Sequence, residues 1–142
     1  MTTTATLSLA TRTLEAFNTA DWETFRGLCH DDVVYVESGT GRRIEGADNY
    51  LALCQGWRAA LPDVSGTVHR SLEGGGVVAQ EVTWTGTHDG PLPRSDGDIP
   101  ATGRAVSVDA TLWIETRGDA VAEVHHHLDV MALMAQIEGM HD

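Results

Sequence analysis

The sequence predicts an α+β fold, with helices packed on one face of a curved, mostly antiparallel sheet. Three observations lead there. The N-terminal third carries apolar residues at helical spacing, the remainder alternates as strands broken by Gly-rich turns, and a short amphipathic segment closes the chain. The 142 residues suffice for a single domain, 1–142, burying roughly two-thirds of its unfolded surface. No internal repeat, low-complexity tract or linker divides it.

Leu7, Ala10, Leu14 and Phe17 form one face of a first helix, which breaks at Asn18-Thr19-Ala20. Asp21 is placed to N-cap a short second helix, Trp22 to Cys29. Val33 to Glu37 is a β-rich run closed by the turn Ser38-Gly39-Thr40-Gly41. Tyr50, Leu53, Cys54, Trp57 and Leu61 recur at threes and fours, a third helix that Pro62 stops. Val64 to Leu72 and Val77 to His88 flank Gly74-Gly75-Gly76 as a hairpin, and Arg104 to Thr116 and Val121 to Leu128 flank Arg117-Gly118-Asp119 as another. Asp129 N-caps a last helix with Met131, Leu133, Met134 and Ile137 as its apolar face. Between His88 and Gly103 the chain is rich in Gly, Pro and Asp and too long for a hairpin tip, which suggests a flap over a pocket.

The net charge of −12 comes from 21 acidic residues against 9 basic ones, all arginine. Such a field repels phosphate backbones and anionic lipid, so neither nucleic acid nor a membrane surface is expected as a partner. No apolar run reaches the ~18 residues of a transmembrane helix, and the N-terminus lacks the pattern of a signal peptide. Cys29 and Cys54 fall at helical positions among apolar neighbours, which reads as buried reduced thiols in a cytoplasmic protein.

Strand alternation sorts the side chains into inner and outer sets. From Arg104 onward the even positions Val106, Val108, Ala110, Leu112 and Ile114 are apolar, and the odd ones, Trp113 excepted, are mostly polar. The same parity turns Gln80, Val82, Trp84 and His88 inward, and leaves His126 as the one histidine of His125-His126-His127 facing the interior. Three consecutive strand residues cannot share one ion, and no further ligand stands at metal-site spacing, so no metal is expected. On the first strand Val33, Tyr35 and Glu37 compete with Val34 and Val36 for the inner face. Trp57, Trp84 and Tyr50 offer flat apolar walls. His88 would contact either a ligand or the flap, and Arg70, on the apolar parity of its strand, would pair with Glu37 or a ligand acid. Asp109 falls on the polar face.

Several segments in order, Phe17-Asn18-Thr19-Ala20, Leu61-Pro62-Asp63, Thr85-Gly86-Thr87-His88, Thr102-Gly103-Arg104 and Leu128-Asp129 through Gln136, resemble the SnoaL-like polyketide cyclases. The resemblance implies their cone-like α+β barrel, shared with ketosteroid isomerases and nuclear transport factor 2. It places His126 where those cyclases carry an aspartate as general acid/base, and Glu37 where the isomerases carry their base. A carboxylate in an apolar pocket would have its pKa raised and so be a better base. Tyr35 matches a polar pocket residue of the cyclases. Ala110, Leu112 and Val124 stand where they carry glutamine and histidines, so this pocket is drier, with Leu112 a wall against the ligand.

The expected function is therefore a cofactor-independent cyclase of natural-product, antibiotic-type biosynthesis, acting on a polyketide-type intermediate by general acid/base catalysis through His126, Glu37 and Tyr35. Trp57, Trp84, His88, Tyr50, Leu112 and Arg70 would bind the substrate. An epoxide-opening pyran or furan cyclase, a hydroxylase, or a non-catalytic small-molecule binding domain are the alternatives. Trp113, outward and uncovered beside His125 and His127, points to a homodimer through the outer sheet face, and the resemblance implies the same.

Overall fold

Apolar periodicity sets the helices and β-branched alternation the sheet of a computed structural model that describes residues 5–94 and 96–139. The elements run α1 (Ala5–Asn18), α2 (Trp22–Gly27), β1 (Cys29–Glu37), β2 (Arg42–Glu45), α3 (Ala47–Ala60), β3 (Ser65–Gly74), β4 (Val77–Thr87), β5 (Ala105–Arg117), β6 (Ala120–Leu128) and α4 (Val130–Glu138). The six strands form one sheet in the order β2-β1-β6-β5-β4-β3. All neighbours are antiparallel except β1 and β6, which run parallel. The core fills the space between α1, α3 and the inner sheet face, with Val106, Val108, Ala110, Leu112 and Ile114 all buried as alternation requires. This is the expected α+β cone. Among the described residues no helix is long and apolar enough to cross a membrane.

The departures have physical causes. Cys29 opens β1 rather than closing α2, because β6 captures the chain there, with Val121 N–H donating to the Leu28 carbonyl at 2.8 Å. A helix of 6 residues has too few internal bonds to resist such pairing. Both cysteines are nonetheless buried and free. Met131 is 83% exposed rather than part of the α4 core face. It sits two residues from Leu133, about 200° around the helix from the Leu133–Ile137 stripe. The Arg42–Glu45 strand, unseen in the sequence pattern, completes a hairpin with β1.

The segments that carry the family resemblance prove to be joints. The Asn18 side chain brackets the Gly66 backbone, accepting from its N–H at 2.8 Å and donating to its carbonyl at 2.9 Å. Asp63 accepts from the Thr87 backbone and hydroxyl, which holds its carboxyl below the usual range. His88 and Thr102-Gly103-Arg104 close the neck of the long loop, with backbone bonds in both directions and a His88 Nδ1–Thr102 Oγ1 bond of 3.0 Å. Gln136 docks α4 by pairing with both backbone groups of Ser107. The loop itself packs on the end of α3, where Asp89 and Gly90 N–H groups donate to the Ala60 carbonyl. Gly90 is obligatory there, since a Cβ would lie 2.0 Å from the Ala59 carbonyl oxygen.

Arg58 ties these layers together. Its guanidinium donates to the carbonyls of Phe17, Asn18, Pro62 and Val64 and lies over the Phe17 ring. Arg58→Met keeps the apolar stem but strands these acceptors, so stability should fall by about 2 kcal/mol in urea denaturation. A change within experimental error would show that water replaces the guanidinium at no cost.

Candidate functional site

Between the helices and the inner sheet face lies a largely apolar cavity lined by α1, α3 and β4 to β6, with Phe25 from α2, Tyr35 from β1 and Leu133 from α4. Tyr50, Trp57, Trp84 and Leu112 are among its walls, and Tyr35 stacks on Tyr50 with ring centroids 5.1 Å apart. The Trp84 indole crosses to β3 at Gly66, where a Cβ would come within 2.5 Å of the ring. With Trp84 in place the free space is about 90 Å³. That is less than the ~150 Å³ apolar cavity known to hold a single benzene, so a polycyclic ligand would need the cavity to widen.

One end of the cavity is polar. Cα pairing sets Glu37 beside His126 across β1 and β6, and Arg42 opposite Glu37 on β2. The burial pattern of β1 turns Val33, Tyr35 and Glu37 inward, settling the register that hydrophobicity left open. Glu37 is wholly buried. Its Oε2 accepts from the Tyr35 hydroxyl at 2.5 Å, and its Oε1 accepts from the Thr40 hydroxyl at 2.7 Å and faces Arg42 at 3.3 Å. The Tyr35 oxygen also meets His126 Nδ1 at 2.7 Å, and Trp84 Nε1–H donates to His126 Nε2 at 3.1 Å.

These partners fix every proton in the chain. An indole N–H can only donate, so His126 Nε2 accepts. Tyr35 has one proton and gives it to the carboxylate, so His126 Nδ1 must donate to the Tyr35 oxygen. The imidazole is thus neutral with its proton on Nδ1. Burial pushes His126 down to about 4, against the opposing pull of the Glu37 charge. Burial, reinforced by the Glu37 charge and hydrogen bond, drives the Tyr35 phenol far above its ordinary value. At neutral pH the group that can take a proton at the cavity is the Nε2 lone pair, masked by Trp84.

The profile of the SnoaL-like polyketide cyclases matches residues 8–137. The chain belongs to that family. Solved structures agree on the cone fold of ketosteroid isomerase-like proteins. IdmH of Streptomyces antibioticus, a candidate polyketide cyclase, is 26% identical over 94% of this chain and 98% of its own, with TM-score 0.78. AclR of Streptomyces galilaeus, a candidate hydroxylase, is 21% identical over 96% and 83%, with TM-score 0.79. An epoxide hydrolase of M. tuberculosis, LEH-like, is 19% identical over 96% and 92%, with TM-score 0.75. The last two show the fold alone. No curated protein matches.

In this SnoaL-like protein, Tyr35, Tyr50, Trp57, Trp84, Leu112 and His126 meet at the cavity. Three expected residues do not. Glu37 stands behind Tyr35 and His126 and is not on the cavity wall, and its carboxylate is met by three donors rather than by an apolar pocket. His88 is buried at the loop neck, bound to Thr102. Arg70 points outward to Glu81, because a bulge between Val68 and Arg70 reverses the strand parity. The long loop, expected as a flap, contributes no cavity-lining residue among those described. Thr40 and Arg42 were missed. Following the Ser38 to Gly41 turn with a returning strand would have brought Arg42 opposite Glu37.

The depressed His126 pKa links stability to pH. An unfolded imidazole titrates near 6.5, so between about pH 6.5 and 4 the unfolded chain binds a proton that the folded one refuses. The His126 contribution is whole above about 6.5 and is lost as pH falls toward 4, roughly 3 kcal/mol in all. His126→Leu should flatten that stretch of the stability curve relative to the parent, measured by urea denaturation at steps from pH 4 to 7. Parallel curves for the two proteins would contradict the assignment.

Proposed function

We propose that this protein is a cofactor-independent cyclase that closes a ring on a polyketide-type intermediate by moving a proton at a carbon beside a carbonyl. The observation that carries the reading is the Trp84–His126–Tyr35–Glu37 chain at the polar end of a largely apolar cavity. A substrate displaces the Trp84–His126 bond and takes both partners. Its C–H bond faces His126 Nε2, and its carbonyl oxygen accepts from Trp84 Nε1–H.

Nε2 removes the proton, the electron pair moves onto the carbonyl oxygen, and Trp84 stabilises the charge that develops there. The enolate carbon then attacks a second carbonyl of the same chain, forming the ring bond, and the alkoxide so made recovers the proton from Nε2. The imidazolium formed in between is stabilised through Tyr35 by Glu37, whose own charge Arg42 and Thr40 hold in place. Glu37 is accordingly a positioning residue. Tyr35 has no proton left for the substrate, so the oxyanion donor falls to Trp84.

Epoxide opening with acid and base on opposite walls finds less support, because the polar ionisable groups form one chain at one end of the cavity. A plain binding domain would need no proton relay ending in a buried, compensated carboxylate.

His126→Ala should lower turnover by roughly 10²–10⁴-fold on a polyketide-type substrate, with His125→Ala and His127→Ala within a few-fold. Glu37→Gln should reduce kcat more than it changes KM and should shift the acid limb of the pH–rate profile, while Glu37→Asp restores part of the loss. Unchanged kinetics in a folded His126→Ala protein would remove His126 as the base and turn attention to Glu37, whereas a parent without turnover on such substrates would leave the binding domain.

The outer sheet face supports a homodimer. Trp113 is 49% exposed and pairs across strands with His125. Light scattering at micromolar concentration should give twice the chain mass, and a monomer would end the idea.

A further inference from the structure

The inner sheet face carries a second polar position that the proton chain does not use. Gln80 on β4 lies in the same cross-strand row as the catalytic end. Strand pairing runs from Arg42 and Glu37 through His126 and Leu112 to Gln80 and Ser71. Gln80 is 1% exposed and lines the cavity. Its Nε2 has only a long contact of 3.4 Å to Ser71 Oγ, and its Oε1 is buried with no partner. A buried amide oxygen without a hydrogen bond costs stability that an apolar residue of similar size would not. Apart from His126, the other wall residues on this row and the rows beside it in β5 are apolar. The orphan therefore stands alone, two strands from His126, which is ~10 Å along the sheet.

We propose that Gln80 is the specificity-determining contact for a ligand hydroxyl at the far end of the cavity. The ligand class follows: a flat, apolar, ring-forming molecule with its reacting carbon at His126 and a hydroxyl group ~10 Å away. A hydroxyl suits either orientation of the amide, donating to Oε1 or accepting from Nε2. Leu112, between the two polar points on the row, is the flat apolar contact that separates them. The inference rests on the cavity being the ligand site, as in the proposed function, but not on turnover.

The test is a pair of probes in calorimetric titration, 2,6-dihydroxynaphthalene and 2-naphthol, which differ by the distal hydroxyl. The parent protein should bind the diol about 5- to 20-fold more tightly. In Gln80→Leu the preference should shrink to within about twofold, with 2-naphthol affinity held and Tm raised by a few degrees as the orphan amide is removed. Gln80→Met serves in the same way should the leucine variant not fold. Equal binding of the probes by the parent, binding of neither, or a preference that survives the substitution overturns the proposal. A lowered Tm with the preference intact assigns Gln80 to the scaffold. Loss of the cyclase reading would show separately, as a probe preference that responds to Gln80 in a protein without turnover.

Discussion

A carboxylate sealed from water persists only if other groups replace its lost hydration, and Glu37 has no solvent contact at all. Tyr35, Thr40 and Arg42 replace it, each delivered by a different local feature: the alternation of β1, the turn that follows, and the first residue of β2. Once Tyr35 has committed its proton to Glu37, the direction of every later bond is set. His126 must donate from Nδ1, so its lone pair lies on Nε2, and Trp84 must donate to that lone pair. A one-residue slip of β1 against β6 would turn Glu37 to the outside and undo the whole chain. The parallel pairing of β1 with β6 is thus the constraint on which the polar end depends.

Scaffold and chemistry are carried by different residues. The stretches that mark the family hold the cone together: Asn18 on Gly66, Asp63 on Thr87, His88 on Thr102, Gln136 on Ser107. None of these polar side chains reaches the cavity. Family membership here fixes the shape of a vessel, and the few polar groups on its inner wall decide what reaction it can run. In this chain the wall is largely apolar, with Leu112 and Val124 among its residues. The proton chemistry is correspondingly concentrated on one imidazole.

Much of this was legible in the sequence. Alternation is strict along β5 to Ile114 and along β6 from Val124, so it alone turned His126 inward and left His125 and His127 outside, although the parity reverses earlier in β6, where Val121 is buried at the β5 bulge. The same logic failed at Arg70, because a bulge adds one residue without any local mark in the sequence, and the parity beyond it reverses. It could not choose the face of β1, where Val33, Val34 and Val36 are equally apolar and the decision comes from pairing with β6. Thr40 and Arg42 were hidden for a related reason. Their role exists only after a four-residue strand folds back on β1, and so short a strand has no periodicity of its own. Glu37 was legible as a position but not as a role, since its distance from the cavity depends on Tyr35 standing in front of it.

The tautomer and charge of His126 are the centre of this account, and ¹⁵N-edited NMR of the imidazole in the unliganded protein reports both directly. The prediction is a neutral ring protonated on Nδ1, with Nε2 bare and hydrogen-bonded, holding from neutral pH down to about 4. A ring protonated on Nε2, or one that takes up its second proton near the ordinary 6.5, would contradict the proton chain and the choice of Nε2 as the base.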